Sequence, residues 1–284
     1  MIAITGASGQ LGRLVIKALL EKVPASEIIA LVRSPEKAQD LQALGVALRT
    51  ADYNQPQTLP SAFAGVAKVL LISSSEVGQR EAQHQAVIDA AKAAGVSFIA
   101  YTSLLHADTS PLGLGVEHRA TEALLQASGI PYALLRNGWY TENYAASIAP
   151  ALAHHAFIGA AGSGRIASAA RADYAAAAAE VISRDDQAGK VYELAGDDSY
   201  TLAEFSAEIA RQSGEKVEYV NLPPAEFSAA LIGAGLPTPL AELLADSDAG
   251  AAQGGLYDDS QTLSQLIGRP TTPFAEVIKA TLAK

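Results

Sequence analysis

The amino-acid sequence predicts an α/β fold built on a doubly wound parallel sheet, with a smaller C-terminal α/β cap domain. Two observations support this fold class. Strand-like apolar runs alternate with helix-like segments from the first residues to about residue 137, as expected for βαβ units. The first of these strands leads into a glycine-rich turn and then directly into a helical apolar stripe.

The elements of the first part can be assigned in order from their periodicity and their flanking residues. Ser34 followed by Pro35 predicts a helix start, and Gly45 predicts the end of the same helix. The strands are predicted at 2–4, 28–32, 46–49, 68–72, 96–102 and 132–135, and the helices at 11–19, 35–44, 58–63, 79–94 and 117–127.

After residue 137 the pattern changes to alanine-rich and loop-rich segments. Asp173 is placed to cap a helix at 174–182, and the run at 191–194 predicts a strand that returns to the main sheet. Thr201 and Glu204 have the spacing of a capping box that opens another helix. We therefore divide the chain into a first domain at 1–137, joined by the returning strand, and a smaller domain formed mainly by 138–284.

The turn after the first strand reads Thr-Gly-Ala-Ser-Gly-Gln-Leu-Gly. Gly6 allows a sharp turn, Gly9 allows the backbone to approach a pyrophosphate, and Gly12 allows the helix to pack closely on the strand. The phosphates would bind the unpaired amides at the helix start. A glycine-rich turn without a ligand is the alternative, because the spacing differs from G-x-G-x-x-G. The strand–turn–helix order favours a Rossmann-type dinucleotide-binding domain.

The end of the second predicted strand indicates which dinucleotide binds. Arg33 stands there, about 20 residues past the glycines, where NAD-binding proteins usually carry a carboxylate that accepts from the ribose hydroxyls. A guanidinium suits the 2′-phosphate of NADP(H) instead. A solvated charge at a strand end is the alternative. With the glycine turn in place, Arg33 favours NADPH over NADH as the cofactor.

Composition excludes several classes of function. The chain has 284 residues, 49% of them hydrophobic, which allows a sizeable core. It has no cysteine, which excludes disulfides and cysteine-ligated metals, and its net charge of −10 gives no footprint for nucleic acid or anionic lipid. No secretory or membrane-spanning segment is predicted. We expect a cytoplasmic protein with a small-molecule substrate; the sequence leaves a homodimer open.

Small polar or aromatic residues follow three central strands at the edge of the sheet where ligands bind. The serines could contact ribose and phosphate or form an ordinary polar loop, and the aromatic residues could line a ligand or pack between the two domains. These residues are Ser73, Ser74 and Ser75 after the fourth strand, Tyr101, Thr102 and Ser103 at the end of the fifth, and Asn137, Gly138, Trp139 and Tyr140 at the end of the sixth.

The helix after the fifth strand lacks the dyad used for alcohol–ketone chemistry. Short-chain dehydrogenases of that kind carry Tyr-x-x-x-Lys there, and the lysine lowers the pKa of the tyrosine. This chain has His118 and Glu122 at the two positions, so an epimerase or ketoreductase is disfavoured. We expect no metal, because the five histidines show no ligand spacing.

These stretches together resemble the NmrA-like group of atypical short-chain dehydrogenases, and within it the bacterial NADPH-dependent quinone oxidoreductases of type 2. The resemblance extends essentially end to end. It rests on the glycine turn, on Arg33, and on the runs at 71–75, 100–103 and 135–140. Triphenylmethane reductases are more distant relatives on the same scaffold. The resemblance implies a Rossmann domain that binds NADPH and a smaller C-terminal domain that closes over it.

By position, the resemblance implies two groups of cofactor-binding residues. The first group lies in the N-terminal part of the chain and, with Gly12 added from the fingerprint itself, comprises Gly6, Ala7, Ser8, Gly9, Gln10, Leu11, Gly12, Arg33, Ser73, Ser74 and Ser75. The second group lies further along the chain and comprises Asn137, Gly138, Trp139, Tyr140, Thr141, Ser168, Ala169, Ala170, Arg171 and Ala172.

The missing dyad is consistent with a quinone acceptor. Hydride addition to a quinone gives a phenolate-like anion, whose conjugate acid has a pKa of only about 10, so no strong acid must be in place. Tyr101, Ser103 and His118 are the best-placed candidates for a proton donor, although each could equally be structural. Two alternatives stay open: an NADP-sensing regulator without turnover, and a reductase of another conjugated electrophile such as a triarylmethane dye.

Overall fold

The computed structural model describes residues 1–283. Its strands are β1 (Ile2–Ile4), β2 (Ile28–Val32), β3 (Ala47–Thr50), β4 (Lys68–Leu71), β5 (Phe98–Leu104), β6 (Tyr132–Asn137), β7 (Ala156–Gly159), β8 (Val191–Leu194) and β9 (Glu218–Asn221). Its helices are α1 (Gln10–Leu19), α2 (Gln39–Ala43), α3 (Leu59–Ala62), α4 (Arg80–Ala93), α5 (Gly115–Ser128), α6 (Thr141–Ala145), α7 (Ile148–His154), α8 (Arg171–Ser183), α9 (Leu202–Ser213), α10 (Pro224–Gly233), α11 (Thr238–Ala252), α12 (Thr262–Ile267) and α13 (Phe274–Leu282).

The main sheet has seven strands in the order β3-β2-β1-β4-β5-β6-β8. Neighbours from β3 to β6 pair in parallel, with Ile4 of β1 in register with Ala30 of β2 and with Leu70 of β4. The strand order reverses at β1, as in a doubly wound sheet. The predicted fold class and the predicted return of strand 191–194 to the main sheet are both confirmed.

The chain forms two compact units that interleave along the sequence. The first holds residues 1–104, 116–137 and 172–192, and the second holds 105–115, 138–171 and 193–284. The second unit has its own short parallel sheet of β7 and β9 and a cluster of aromatic rings formed by Tyr200, Phe205 and Phe274. The division into continuous segments at residue 137 stays a prediction of the sequence.

Burial of the central strands explains why their sequences are continuously apolar. All five residues of β2 and all seven of β5 are buried, as expected for parallel strands covered on both faces. On one face, alternate residues of the strands pack with α4 through Val87, Ile88 and Ala91. The sheet is therefore a rigid support for the loops that follow its strands.

Three local predictions can be compared with the structure. The capping box of Thr201 and Glu204 is confirmed, with both reciprocal hydrogen bonds present. The helix predicted at 35–44 is wrong in its first half, because the backbone breaks at Ala38 between a 3-10 turn at Pro35–Lys37 and α2. The Ser34 side chain accepts no capping hydrogen bond from the backbone of that turn.

The predicted cap at Asp173 is also wrong. Helix α8 already begins at Arg171, so Asp173 lies inside its first turn. The carboxylate of Glu142 accepts hydrogen bonds from the Arg171 amide at 2.9 and 3.0 Å and supplies the cap instead. No helix among residues 1–283 combines the length and the apolar character that a membrane span needs.

Candidate functional site

The glycine turn has the geometry of a phosphate cradle. Gly6 lies in the left-handed region at φ +57°, which side chains disfavour. A Cβ added to Gly12 would lie 2.5 Å from the Gly6 carbonyl oxygen and 2.7 Å from Ala7 Cα, so only glycine allows α1 to pack this closely on the turn. Helix α1 has no side-chain cap and no acidic residue in its first turn. Its start therefore fits an anion such as a pyrophosphate.

Three predicted parts of the site meet at one edge of the sheet because β1 pairs with both β2 and β4. The Ala7 amide donates to the Leu31 carbonyl of β2 at 3.2 Å. The Thr5 hydroxyl bridges β4 and the loop after it, donating to the Leu70 carbonyl at 3.2 Å and accepting from the Ile72 amide at 2.9 Å. The glycine turn is thus fixed between the end of β2, which leads into Arg33, and the serines after β4.

Arg13, which the sequence analysis did not single out, supports the turn from α1. Its Nε donates to the Ser8 carbonyl at 3.0 Å, and one of its Nη atoms donates to the Lys37 carbonyl at 3.1 Å. It also forms an ion pair with Asp40. These contacts tie the glycine turn to the segment after β2 and add positive charge beside the cradle.

Arg33 follows the last residue of β2, as predicted, and its side chain is 70% exposed. Its Nη1 lies 3.4 Å from Glu76 Oε1, at the long end of hydrogen-bond distances. A surface ion pair of this kind contributes little to stability, so the guanidinium remains able to bind an anion. Its position at the end of β2 fits the contact to the adenosine ribose that the resemblance implies.

The serine loop, defined here as Ser73–Ser75, is held by three side chains from two elements, β5 and α4. The Ser73 amide donates to Thr102 Oγ1 at 2.8 Å, and the Ser74 amide donates to His84 Nε2 at 2.9 Å. Arg80 Nε donates to the Ser74 carbonyl at 2.5 Å. Because the backbone amides of Ser73 and Ser74 already donate hydrogen bonds within the protein, these two residues would contact a ligand through their side chains or carbonyl groups.

His84 is the central support of the serine loop. Its Nε2 accepts a hydrogen bond, so the ring proton lies on Nδ1, which is 2.9 Å from Thr121 Oγ1. Burial, and secondarily the positive charge of Arg80, lowers the pKa of His84 to about 3. The histidine is therefore neutral and fixed in one tautomer, which links α4, α5 and the serine loop.

Two of the three candidate proton donors contact each other inside the first unit. The Tyr101 hydroxyl lies 2.7 Å from His118 Nδ1, and the two residues are 0% and 5% exposed. Burial lowers the pKa of His118 to about 3 and raises the pKa of Tyr101 well above its usual value. Both groups are uncharged at neutral pH, and their catalytic role stays a prediction.

The third candidate, Ser103, donates to Glu122 Oε1 at 2.5 Å. Glu122 also forms a two-point ion pair with Arg136, with N–O distances of 3.0 and 2.7 Å. The glutamate that stands in place of the dyad lysine therefore links α5 to β5 and β6. A carboxylate so engaged does not lower the pKa of a neighbouring tyrosine.

Asn137 ends β6 and is buried, and its Oδ1 has no hydrogen-bond partner among residues 1–283. An unpaired buried acceptor is costly, so its presence at a predicted site indicates an expected ligand donor. The carboxamide of a nicotinamide ring offers such an N–H group. Together with the crowded Gly12 and the uncapped helix α1, Asn137 shows that the residues present fit a dinucleotide.

Ala172 belongs to the first unit, and the other remaining predicted residues lie in the second unit. Trp139 and Thr141 pair with Ala169 through backbone hydrogen bonds of 3.1 and 3.0 Å. Thr141 Oγ1 is 2.8 Å from Ser168 Oγ, and the Arg171 guanidinium lies 4.6 Å from the centre of the Tyr140 ring. The segments 138–141 and 168–171 are therefore in direct contact, whereas in the sequence only the resemblance had linked them.

Asp248 supports the same part of the second unit and was not found from the sequence. Its carboxylate accepts from the Tyr144 hydroxyl at 3.0 Å and from the Ala160 amide at 2.8 Å. Burial raises the pKa of Asp248 above its usual value. Tyr144 in turn packs against Trp139, with ring centres 6.5 Å apart, so the tryptophan is part of the packing of this unit.

Residues 6–185 match the family described as NAD(P)H-binding. The chain belongs to this family, as the glycine turn and the parallel sheet indicate. It is 64% identical over 278 residues to quinone oxidoreductase 2 of Escherichia coli, an alignment that covers 98% of this chain and 97% of that protein.

Two solved structures extend the comparison. The crystal structure of an NADPH-dependent quinone oxidoreductase from E. coli in complex with NADPH has a TM-score of 0.97 and 63% identity, and covers 99% of this chain and all of that one. The Citrobacter sp. triphenylmethane reductase in complex with NADP(H) has a TM-score of 0.94 and 40% identity, and covers 99% of this chain and all of that one. Both relatives predicted from the sequence are confirmed.

Proposed function

We propose that the protein is an NADPH-dependent quinone oxidoreductase, which transfers two electrons as a hydride from NADPH to a quinone. The observation that carries this proposal is the near full-length similarity to the E. coli quinone oxidoreductase, at 64% identity. The cradle at Gly6–Gly12 and the exposed guanidinium of Arg33 supply the matching chemistry for the cofactor.

NADPH supplies a hydride from the nicotinamide ring when it is bound. The amides at the start of α1 would hold its pyrophosphate, and Arg33 would hold its 2′-phosphate. Asn137 would use its unpaired Oδ1 to orient the nicotinamide amide. The resemblance also implies cofactor contacts by the serine loop, and separately by residues of the segments 137–141 and 168–172.

We assign no residue of this chain as the proton donor. Tyr101, Ser103 and His118 are each hydrogen-bonded to another side chain inside the first unit, and Tyr101 and His118 are both neutral there. The quinone product is an anion whose conjugate acid has a pKa of about 10, so water can protonate it later, once it has left the site. The protein would then act mainly by orienting the acceptor against the cofactor and by excluding water.

A second candidate substrate is a triarylmethane dye. The 40% identity to triphenylmethane reductase supports it, because such a dye is also an electron-poor conjugated system that accepts a hydride. A regulator that binds NADP(H) without turnover needs the same cradle, so turnover itself must be measured to separate it from the enzyme.

Purified protein mixed with NADPH and a simple benzoquinone tests the proposal. We expect saturable loss of absorbance at the reduced nicotinamide band, one quinone consumed for each NADPH, and no semiquinone signal in electron paramagnetic resonance. Heat-inactivated protein is the control. Tight NADPH binding without oxidation would contradict the quinone reductase, and faster oxidation with a triarylmethane dye would make the dye the preferred substrate.

We also propose that the protein works in the cytoplasm and meets its acceptor as a small molecule rather than through a nucleic acid. The absence of cysteine and the net charge of −10 support this setting. A homodimer is a further proposal, which the molecular mass in solution tests directly.

A further inference from the structure

Glu76 follows the serine loop, and its carboxylate is fixed by side chains of the first unit. Oε2 accepts hydrogen bonds from Asn54 Nδ2 at 3.1 Å and from Gln83 Nε2 at 2.9 Å. Gln83 Nε2 also lies 2.9 Å from Asn54 Oδ1, which closes a triangle of hydrogen bonds. The other carboxylate oxygen, Oε1, faces Nη1 of Arg33 at 3.4 Å.

We propose that Glu76 is a specificity-determining residue that weakens binding of the 2′-phosphate and so limits the preference for NADPH over NADH. The inference rests on the proposed function, in which Arg33 binds that phosphate. A phosphate on the Arg33 guanidinium would approach a carboxylate that already lies beside it. NADH has a ribose hydroxyl at this place, which can donate a hydrogen bond to a carboxylate instead.

The fixed position of Glu76 is what makes the repulsion unavoidable. To move away from an incoming phosphate, the carboxylate would have to break the hydrogen bonds to Asn54 and Gln83, and Gln83 is buried. Glu76 contributes little to holding the Arg33 side chain in place. Their contact is a single long ion pair between side chains that are 41% and 70% exposed. We therefore expect the repulsion between Glu76 and the phosphate to outweigh any benefit that Glu76 provides by orienting Arg33.

The size of the effect follows from Coulomb's law. At a separation of about 6 Å in water, repulsion between a carboxylate and a phosphate of one or two charges corresponds to roughly a three- to tenfold change in binding. Because the side chains of Glu76 and Arg33 are 41% and 70% exposed, salt screens the effect, and at about 1 M ionic strength most of it is lost.

Fluorescence titration of NADPH and NADH measures the proposal directly, without turnover. We expect Glu76→Gln to bind NADPH about three- to tenfold more tightly at low salt, with the gain fading at high salt and with NADH not tightened. Glutamine preserves an oxygen that can accept from Asn54 and Gln83. Glu76→Ala is a second variant with the same expected direction. Glu21→Gln, an exposed glutamate after the far end of α1, is the matched charge control and should change neither constant.

Unchanged or weaker NADPH binding by both Glu76 variants would overturn the inference, as would an equal gain for NADH. Arg33→Gln separates this failure from failure of the proposed function. If Arg33→Gln weakens NADPH binding while the Glu76 variants gain nothing, Arg33 binds the phosphate and only the role of Glu76 is wrong. If Arg33→Gln has no effect, the assigned phosphate contact is wrong and the inference falls with it.

Discussion

His84 and His118 predict that the protein is unusually sensitive to acid. Burial lowers the pKa of each to about 3, well below the value of about 6.5 for an exposed histidine. As pH falls below about 6.5, the unfolded chain therefore binds protons that the folded chain does not. The stability associated with the neutral histidines is fully present above that pH and is lost as pH falls towards about 3.

The size of the loss follows from the two pKa values. Each pH unit costs about 1.4 kcal/mol for one histidine, so a fall to pH 5 removes about 2 kcal/mol for His84 and about as much for His118. A total of about 4 kcal/mol is a large share of the 5–15 kcal/mol that stabilises a typical domain. Other groups titrate in the same range; the raised pKa of Asp248 has the opposite sign, because the folded chain then retains a proton longer.

Urea unfolding of the wild type and His84→Gln at pH 7 and pH 5 isolates the histidine. Glutamine places an acceptor near the position of Nε2, so the Ser74 amide keeps a partner, whereas the hydrogen bond to Thr121 is lost. We expect His84→Gln to be less stable than the wild type at pH 7 by about 1–2 kcal/mol. Its further loss on going to pH 5 should be smaller than that of the wild type by about 2 kcal/mol.

Subtracting the loss of stability of His84→Gln from that of the wild type cancels the contribution of every titrating group that both proteins share, including Asp248. His154→Gln, an exposed histidine at the end of α7, is the control and should fall with pH as the wild type does. If the wild type and His84→Gln lose equal stability between pH 7 and pH 5, the reasoning is refuted. His84 would then have the same pKa in the folded and the unfolded chain.

Two substitutions in the cradle complete the predictions. In Gly12→Ala, the new Cβ would clash with backbone atoms of the turn, which cannot move aside as a flexible side chain would. We expect this variant to be less stable by about 1–2 kcal/mol, despite the better helix propensity of alanine, and to bind NADPH about tenfold or more weakly. Gly233→Ala, in α10 with open space around it, should be neutral or slightly stabilising in the same melting and titration experiments. Arg33→Asp should weaken NADPH binding about a hundredfold while sparing or improving NADH, and an unchanged ratio of the two constants would contradict the role of Arg33.

Local signals in the sequence were sufficient for the frame of the fold and for its first loop. The glycine turn, the end of β2 and the capping box at Thr201 each depend on residues within a few positions of one another, so periodicity and capping rules reach them. The prediction of a helix at 35–44 was partly wrong because contacts outside the segment matter there. Its residues suit a helix, but the backbone breaks at Ala38, and Arg13 and Asp40 make contacts around the break that no local rule contains.

The supports of the site could not be predicted because they join residues that are distant in the sequence. Glu76 lies 43 positions from Arg33, and Glu142 lies 29 positions from the helix start that it caps. Glutamate after a serine run and glutamate in a short helix are ordinary surface residues in the sequence alone. Only the strand order, which places β4 beside β1 and β1 beside β2, brings the first pair together.

The contacts of Glu122 connect the missing dyad with the proposed substrate. A dyad lysine must leave its charge free to act on a tyrosine, whereas Glu122 is fully engaged by Arg136 and Ser103. The Tyr101 hydroxyl is hydrogen-bonded to His118, and burial raises the pKa of Tyr101 rather than lowering it. The lowered phenol pKa that a dyad lysine gives its tyrosine is therefore absent at Tyr101. The fold therefore keeps the cofactor cradle of a dehydrogenase while the acceptor must stabilise its own negative charge, and a quinone does so by delocalising it over an aromatic ring.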